Sequence, residues 1–407
     1  MDKRLLRAYA KLIARRGLNV KKNQDVIVQT EVEQLDFINM VVEELYKAGA
    51  RKVFVDFYHL PLSKLHNKYR SVDSLSTIES FELEKVKWRT DSLPCILFLD
   101  SEDPDGLVGI DQEKESIASS KRYPILKPYI DKMENKYQWC IAGVPGLKWA
   151  KKIYPNLSNK KAVEKLWENI LECARCNGDP IKNWDNHNKN LKEKCDYLNS
   201  LNLKELRYKS SNGTNFKVGL IDDGLFMGGA ETSLKNRVFN PNIPSEEIFT
   251  SPKKGVCEGV VYATKPLSYR GEVIEDFYFE FKDGKVISAH AKVNEELLNQ
   301  MINEDETSCY LGEVALVPFD SPINNTNILF YNTLFDENAC CHLALGHGFT
   351  NIIKDYEKYS LEELREKGIN DSMIHVDFMI GSKDLSIIGI DKDNKEHIIF
   401  KNGNWAF

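Results

Sequence analysis

Residues 24–57 confine the first part of the chain to one architecture. Residues 24–31 carry Val26, Ile27 and Val28 in succession and read as a strand. Residues 34–48 place Leu35, Ile38, Val41, Val42 and Leu45 on one face of a helix that Gly49 ends. Residues 52–57 read as the next strand. Strand, helix and strand in this order form a βαβ unit, whose strands run parallel under covering helices. Cys95–Leu99 and Trp139–Gly143 have the unbroken apolar texture of further strands buried on both faces. Gly143-Val144-Pro145-Gly146 then reads as a turn. No G-x-G-x-x-G or Walker pattern follows any of these strands, which disfavours nucleotide binding.

Helical patterns over about 160–175 and 186–200 lead into a different texture. From about residue 204 the chain is strand-rich. Residues 256–265 alternate, 276–282 and 285–291 predict a hairpin about Asp283-Gly284, and a last hairpin is expected about Asp391–Asn394. The expected fold is therefore an α/β domain over residues 1–190, with a mostly parallel sheet, and a β-rich α+β domain over 191–407. A chain of 407 residues has core enough for both.

Composition narrows the function. Apolar residues make up 42% and charged residues 29%, as in an ordered globular enzyme. The net charge is −6 and no basic block stands out, which argues against nucleic acid as a partner. Residues 1–18 read as an amphipathic helix, with Leu5, Leu6, Tyr9, Leu12 and Ile13 at helical spacing, and not as a secretion signal. No run approaches the roughly 18 apolar residues of a membrane span. Nine scattered cysteines in such a chain predict reduced thiols and a cytoplasmic location. Cys173-Ala174-Arg175-Cys176 lacks a second pair and reads as the end of a helix, not as a zinc or redox motif.

The second half carries the chemistry. In His375-Val376-Asp377 the two polar side chains lie two apart, so on a strand they project together from an apolar segment. A carboxylate on a buried strand needs a partner or a cation. A lone His-x-Asp is ordinarily a hydrogen-bonded core pair. Here it has company. Glu313 sits in the apolar run Leu311–Val317, and Glu247 lies in Ile243–Pro252. His342 follows Asp336–Cys341 and is expected on a helix begun near Asp336. None of these is a local metal signature.

These segments resemble the aminopeptidase T / AmpS / PepS family of metallo-aminopeptidases, the thermophilic aminopeptidase family. The resemblance spans nearly the whole chain and is dense from Asn183 onward. It is carried by stretches such as Pro244–Pro252, Leu311–Val317, Phe330–Ala339, His342–Gly346 and His375–Gly381. It implies Glu247, Glu313, His342, His375 and Asp377 as ligands of a dinuclear centre in the β-rich domain. It further implies a homodimer whose active sites face an internal cavity, and short peptides with a free N-terminus as substrates. Charge counting agrees with this. Three carboxylates with two neutral imidazoles carry −3, two divalent ions carry +4, and one hydroxide neutralises the cluster, as burial requires. The donor set suits zinc, cobalt or manganese without choosing among them. Two such ions activate a water, polarise the scissile carbonyl and hold the substrate amine. Glu313 is the candidate bridging ligand. Glu313 and Glu247 are both candidates for the catalytic carboxylate, and the sequence does not separate these roles.

One position departs from the family. Where family members carry a tyrosine proposed to assist catalysis, this chain has Phe349, which donates no hydrogen bond. His347 and Tyr356 are candidates to replace that donor. Asp384-Leu385-Ser386-Ile387-Ile388 also replaces a more acidic family segment. Two other readings remain. One is a catalytically weakened homologue that binds peptides, supported by Phe349. The other is a mononuclear iron ring-cleaving dioxygenase, which needs only two histidines and one carboxylate where this chain has three.

Overall fold

The computed structural model describes residues 1–101 and 103–407, which divide into two compact units. The first unit comprises Met1–Asn186 together with Ala230–Pro244. Its strands β1 (Asp25–Glu31), β2 (Lys52–Tyr58), β3 (Cys95–Asp100) and β4 (Trp139–Gly143) form one parallel sheet in the order β2-β1-β3-β4. Val26, Ile27 and Val28 of β1 are buried on both faces, as their unbroken run requires. The crossover helix Leu35–Ala48 buries Phe37, Ile38, Val41 and Leu45, and Gly49 closes it in the left-handed conformation at φ 119°. The first helix, Lys3–Leu12, buries Tyr9 and Leu12. Its Tyr9 ring packs 5.7 Å from Phe37 and 6.3 Å from Trp167.

The sequence gives no sign that the chain returns to this unit. Asn242–Ile243 adds a short fifth parallel strand beside β4, so the first unit is not one continuous stretch. The helix expected over 186–200 begins earlier, at Pro180, and runs to Ser200.

The second unit comprises His187–Gly229 and Ser245–Phe407. Its larger antiparallel sheet contains both expected hairpins. Lys282 pairs with Lys285 across Asp283 and Gly284, whose φ values of 50° and 78° are those of the tight hairpin turn the Asp-Gly pair favours. Ile390 pairs with Glu396 across the second turn. A smaller antiparallel sheet runs in the order Ile248–Thr250, Leu311–Leu316, His342–Gly346, His375–Met379. Every residue of the Leu311–Leu316 and His342–Gly346 strands is buried. Leu311, Val314, Leu343, Leu345, Val376 and Phe378 join a large apolar core with Phe277 and Phe279.

The helix expected to carry His342 is absent. Thr333–Asp336 and Glu337–Ala339 form two short helical turns, Cys340 is fully extended, and His342 opens a strand. That strand is hydrogen-bonded to neighbours on both sides, and the two ladders outweigh the helical bias of its Leu and Ala residues.

Candidate metal centre

The smaller sheet brings the five sequence candidates together. Ala344 is the register partner of both Glu313 and Asp377, so three adjacent strands present Glu313, His342 and Asp377 to one region. His375 follows the period of two and joins Asp377. Glu247 comes from the residue before the fourth strand, whose Ile248 pairs with Leu316. His342 Nε2 lies 3.3 Å from Glu247 Oε2 and 3.8 Å from Asp377 Oδ1. His375 Nε2 lies 3.1 Å from Glu313 Oε2 and 3.3 Å from Asp377 Oδ1. Two sets of three, Glu247-Glu313-His342 and Glu313-His375-Asp377, each have donor atoms within 4.8 Å of one another, and Glu313 belongs to both.

Four of the five are buried. His375 is the most open, with 27% of its side chain exposed. Its other ring nitrogen donates to the His347 carbonyl at 2.8 Å, which leaves Nε2 directed at the carboxylates. Both ring nitrogens of His342 and the Oδ1 of Asp377 are buried without a hydrogen-bond partner. Leaving such atoms unmade is costly, and a cation beside His342 Nε2 or Asp377 Oδ1 would supply what the protein does not. The residues therefore fit a divalent metal. Oxygen and imidazole donors at this spacing are the ordinary ligands of such ions.

The protein groups alone already carry the charge pattern. Burial pushes Glu313 up to about 7, and the neighbouring Glu247 and Asp377 add to the shift. Burial works against a charged His342, but Glu247, Asp377 and Glu313 outweigh it and raise the imidazole to about 9. His375 is also raised well above its usual value, by Asp377 and Glu313 against burial. Asp377 is held below the ordinary carboxylate range. Burial opposes this, and His375, His342 and a hydrogen bond from Glu337 achieve it.

Glu337 is the residue that sequence reasoning missed. It is buried, it belongs to neither set of three, and burial beside Asp377, Glu247 and Glu313 keeps it protonated far above the usual range. Its only sequence signal was its place in the Asp336–Cys341 run, where it read as an ordinary helical acid.

The departed position lies at the edge of the cluster. The Phe349 ring is 5.1 Å from the His375 ring, tilted by 52°, and 5.1 Å from Phe249 at 66°. Its backbone N–H is fixed by Ser251 Oγ at 2.7 Å. Both candidate substitutes lie near Phe349. The His347 ring faces Asp371 Oδ1 at 3.6 Å. Tyr356 packs, like Phe349, on the small apolar cluster that includes Phe249 and Ile352. Asp384 is taken up by Ser210, Ser211 and Ser382 at a turn. Cys173 and Cys176 are buried thiols, the latter pushed up to about 12, and no cysteine joins a metal-binding group among the described residues.

Comparison with known proteins gives a consistent answer. The family model of thermophilic metalloproteases (M29) matches residues 2–405. The chain is 39% identical over 406 residues to aminopeptidase AmpS of Bacillus subtilis (strain 168), covering 99% of this chain and 98% of that one. It is 34% identical over 406 residues to aminopeptidase T of Thermus thermophilus, covering 99% of each. The solved structure of wild-type AmpT from Thermus thermophilus superposes with a TM-score of 0.89 at 33% identity, covering 100% of both chains. A 2,5-dihydroxypyridine dioxygenase from Pseudomonas putida KT2440 gives a TM-score of 0.50 at 11% identity, covering 98% of this chain and 96% of that one, a likeness of fold alone.

Proposed function

The chain belongs to the thermophilic metalloprotease family M29 and is a metal-dependent aminopeptidase; from that premise we propose that Glu247, Glu313 and His342 hold one divalent ion, that Glu313, His375 and Asp377 hold a second, and that the enzyme removes N-terminal residues from short peptides. The observation that carries the reading is the pair of three-residue sets sharing Glu313. A carboxylate common to both sets could serve both ions. Zinc, cobalt and manganese all suit the donors. Bound there, the ions would acidify a water, polarise the scissile carbonyl and receive the free amine that restricts cleavage to one residue.

The protein's own groups complete the chemistry. The three ligand carboxylates sum to −3, the charge that two divalent ions and one hydroxide would neutralise. We assign to Glu337 the proton-holding role that the sequence left open between Glu247 and Glu313. Burial beside three other acids raises Glu337 well above the ordinary carboxylate range, so it is the group suited to hold a proton beside Asp377. His375, oriented by the His347 carbonyl and flanked by Phe349, forms the open edge by which substrate would enter.

The test is hydrolysis of aminoacyl chromogenic substrates after loading with cobalt, zinc or manganese. Free-amine substrates are expected to be cleaved, and chelation is expected to abolish the activity. Equal cleavage of N-acetylated substrates would sink the exopeptidase reading. We further propose a cytoplasmic homodimer. All nine cysteines are free and buried, as a reducing compartment favours. No helix among the described residues is long and apolar enough to cross a membrane. Membership of the family and the strand-rich second unit, whose edge strands need covering or pairing, support the dimer. A monomer mass by light scattering at micromolar concentration would reject the dimer.

A further inference from the structure

Asn338 belongs to neither candidate ligand set, yet it is fully buried and uses both ends of its amide. Its Oδ1 accepts the backbone N–H of Glu246 at 2.7 Å. Its Nδ2 donates to the Leu334 carbonyl at 2.9 Å and to Glu337 Oε1 at 3.2 Å. The donors and the acceptor face opposite demands, so the amide has one workable orientation. Glu246 immediately precedes Glu247. On the other side, the Ser245 carbonyl accepts from His187 Nε2 at 2.7 Å. The short segment carrying Glu247 therefore enters its strand at Ile248 already fixed at two successive residues.

We propose that Asn338 is a positioning residue that ties the placement of Glu247 to that of Glu337. Through one amide it fixes the segment that carries a candidate metal ligand and the buried Glu337 carboxylate relative to each other. The proposal rests on the ligand reading above. Outer contacts of this kind typically change metal affinity or activity by about 10- to 100-fold when removed. A buried asparagine with a purely structural role would alter stability alone.

The experiment compares Asn338→Ala and Asn338→Asp with the wild type and with Glu313→Gln. The readouts are the cobalt dissociation constant, the visible spectrum of the cobalt-loaded protein, and kcat and KM separately. Asn338→Ala releases both arms. It is expected to weaken cobalt binding by about 10- to 100-fold and to shift the spectrum. Asn338→Asp has the same shape and keeps an acceptor for the Glu246 N–H, but turns an acceptor toward Glu337. It is expected to lower kcat by about 10- to 100-fold with KM changed less than about threefold. Asn67→Ala removes a buried amide from the other unit and is expected to leave cobalt binding unchanged. Wild-type cobalt affinity, spectrum and kcat in both Asn338 variants, whatever their melting temperatures, overturn the proposal. If Glu313→Gln lowers cobalt affinity in the same series, the ligand reading survives that failure. If Glu313→Gln also binds cobalt normally, both fall.

Discussion

Gly312→Ala adds one methyl group beside Glu313 and should be felt at His375. Gly312 lies where the register of the Leu311–Leu316 strand shifts against its neighbour. A Cβ there would sit 2.1 Å from the His347 carbonyl oxygen and 2.5 Å from that of Gly346. An ordinary carbon–oxygen contact is about 3.3 Å, so the His347 carbonyl or the strand must yield by roughly 1 Å. That carbonyl is the acceptor for His375 Nδ1 at 2.8 Å. Moving it by about 1 Å takes the contact beyond hydrogen-bond range. His375 then loses the partner that fixes its tautomer and aims Nε2 at Glu313 and Asp377. Loss of such a partner typically weakens metal binding by about 10- to 100-fold, which is about 1.4–2.7 kcal/mol. Overpacking should separately lower stability by about 1–3 kcal/mol. The two effects are separable. Melting with a chelator present reports the packing strain, and a competitive metal titration reports the lost alignment. A variant that melts lower but binds metal with wild-type affinity would refute the reasoning, because the strain would then have been absorbed away from His347.

Three other outcomes are expected. Glu313→Gln and Asp377→Asn should each lose bound metal together with activity, since each leaves two cations under-neutralised; full occupancy by elemental analysis in both would remove these residues from the ligand set. In the metal-free protein, charged His342 stabilises the fold below its unfolded value of about 6.5 and this contribution is lost as pH rises through about 9. Stability with a chelator present should therefore fall from pH 7 to 9, while metal affinity rises by about tenfold per unit for each proton displaced; calorimetry showing no proton release on cobalt binding at pH 8 would contradict it. Phe349→Tyr should raise turnover, by at most about 10²–10³, without changing metal content, if its hydroxyl reaches the reacting carbonyl; a clear fall in turnover would instead mark the ring as packing against His375 and Phe249.

How much of this was legible depends on how local each signal was. Glu313, His375 and Asp377 announced themselves because each interrupts an apolar strand, and alternation fixes which side chains share a face. The βαβ unit was readable for the same reason, with Gly49 and the Asp283-Gly284 turn supplying the punctuation. His342 misled because its neighbours do turn helically up to Ala339, and Leu343, Ala344 and Leu345 are good helix formers. What makes them a strand is the pairing with residues 311–315 and 375–379, which no local pattern reveals. The return of residues 230–244 to the first unit was hidden because it rests on a two-residue strand and on scattered hydrogen bonds such as that from the Asn240 N–H to the Arg16 carbonyl.

Glu337 shows the limit most clearly. Its neighbours in sequence, Asp336 and Asn338, make it look like part of a solvated helix start. Its actual environment is set by Glu247, Glu313 and Asp377, which three other segments deliver. A carboxyl group in water beside one acid would simply ionise. Buried beside three, with Asp377 as acceptor, it is pushed well above the ordinary carboxylate range. The same summed field raises His342 and His375. The shifted protonation equilibria, including the imidazolium protons that a bound cation must displace, are thus a property of the assembled sheet, and they exist only once four distant segments have met.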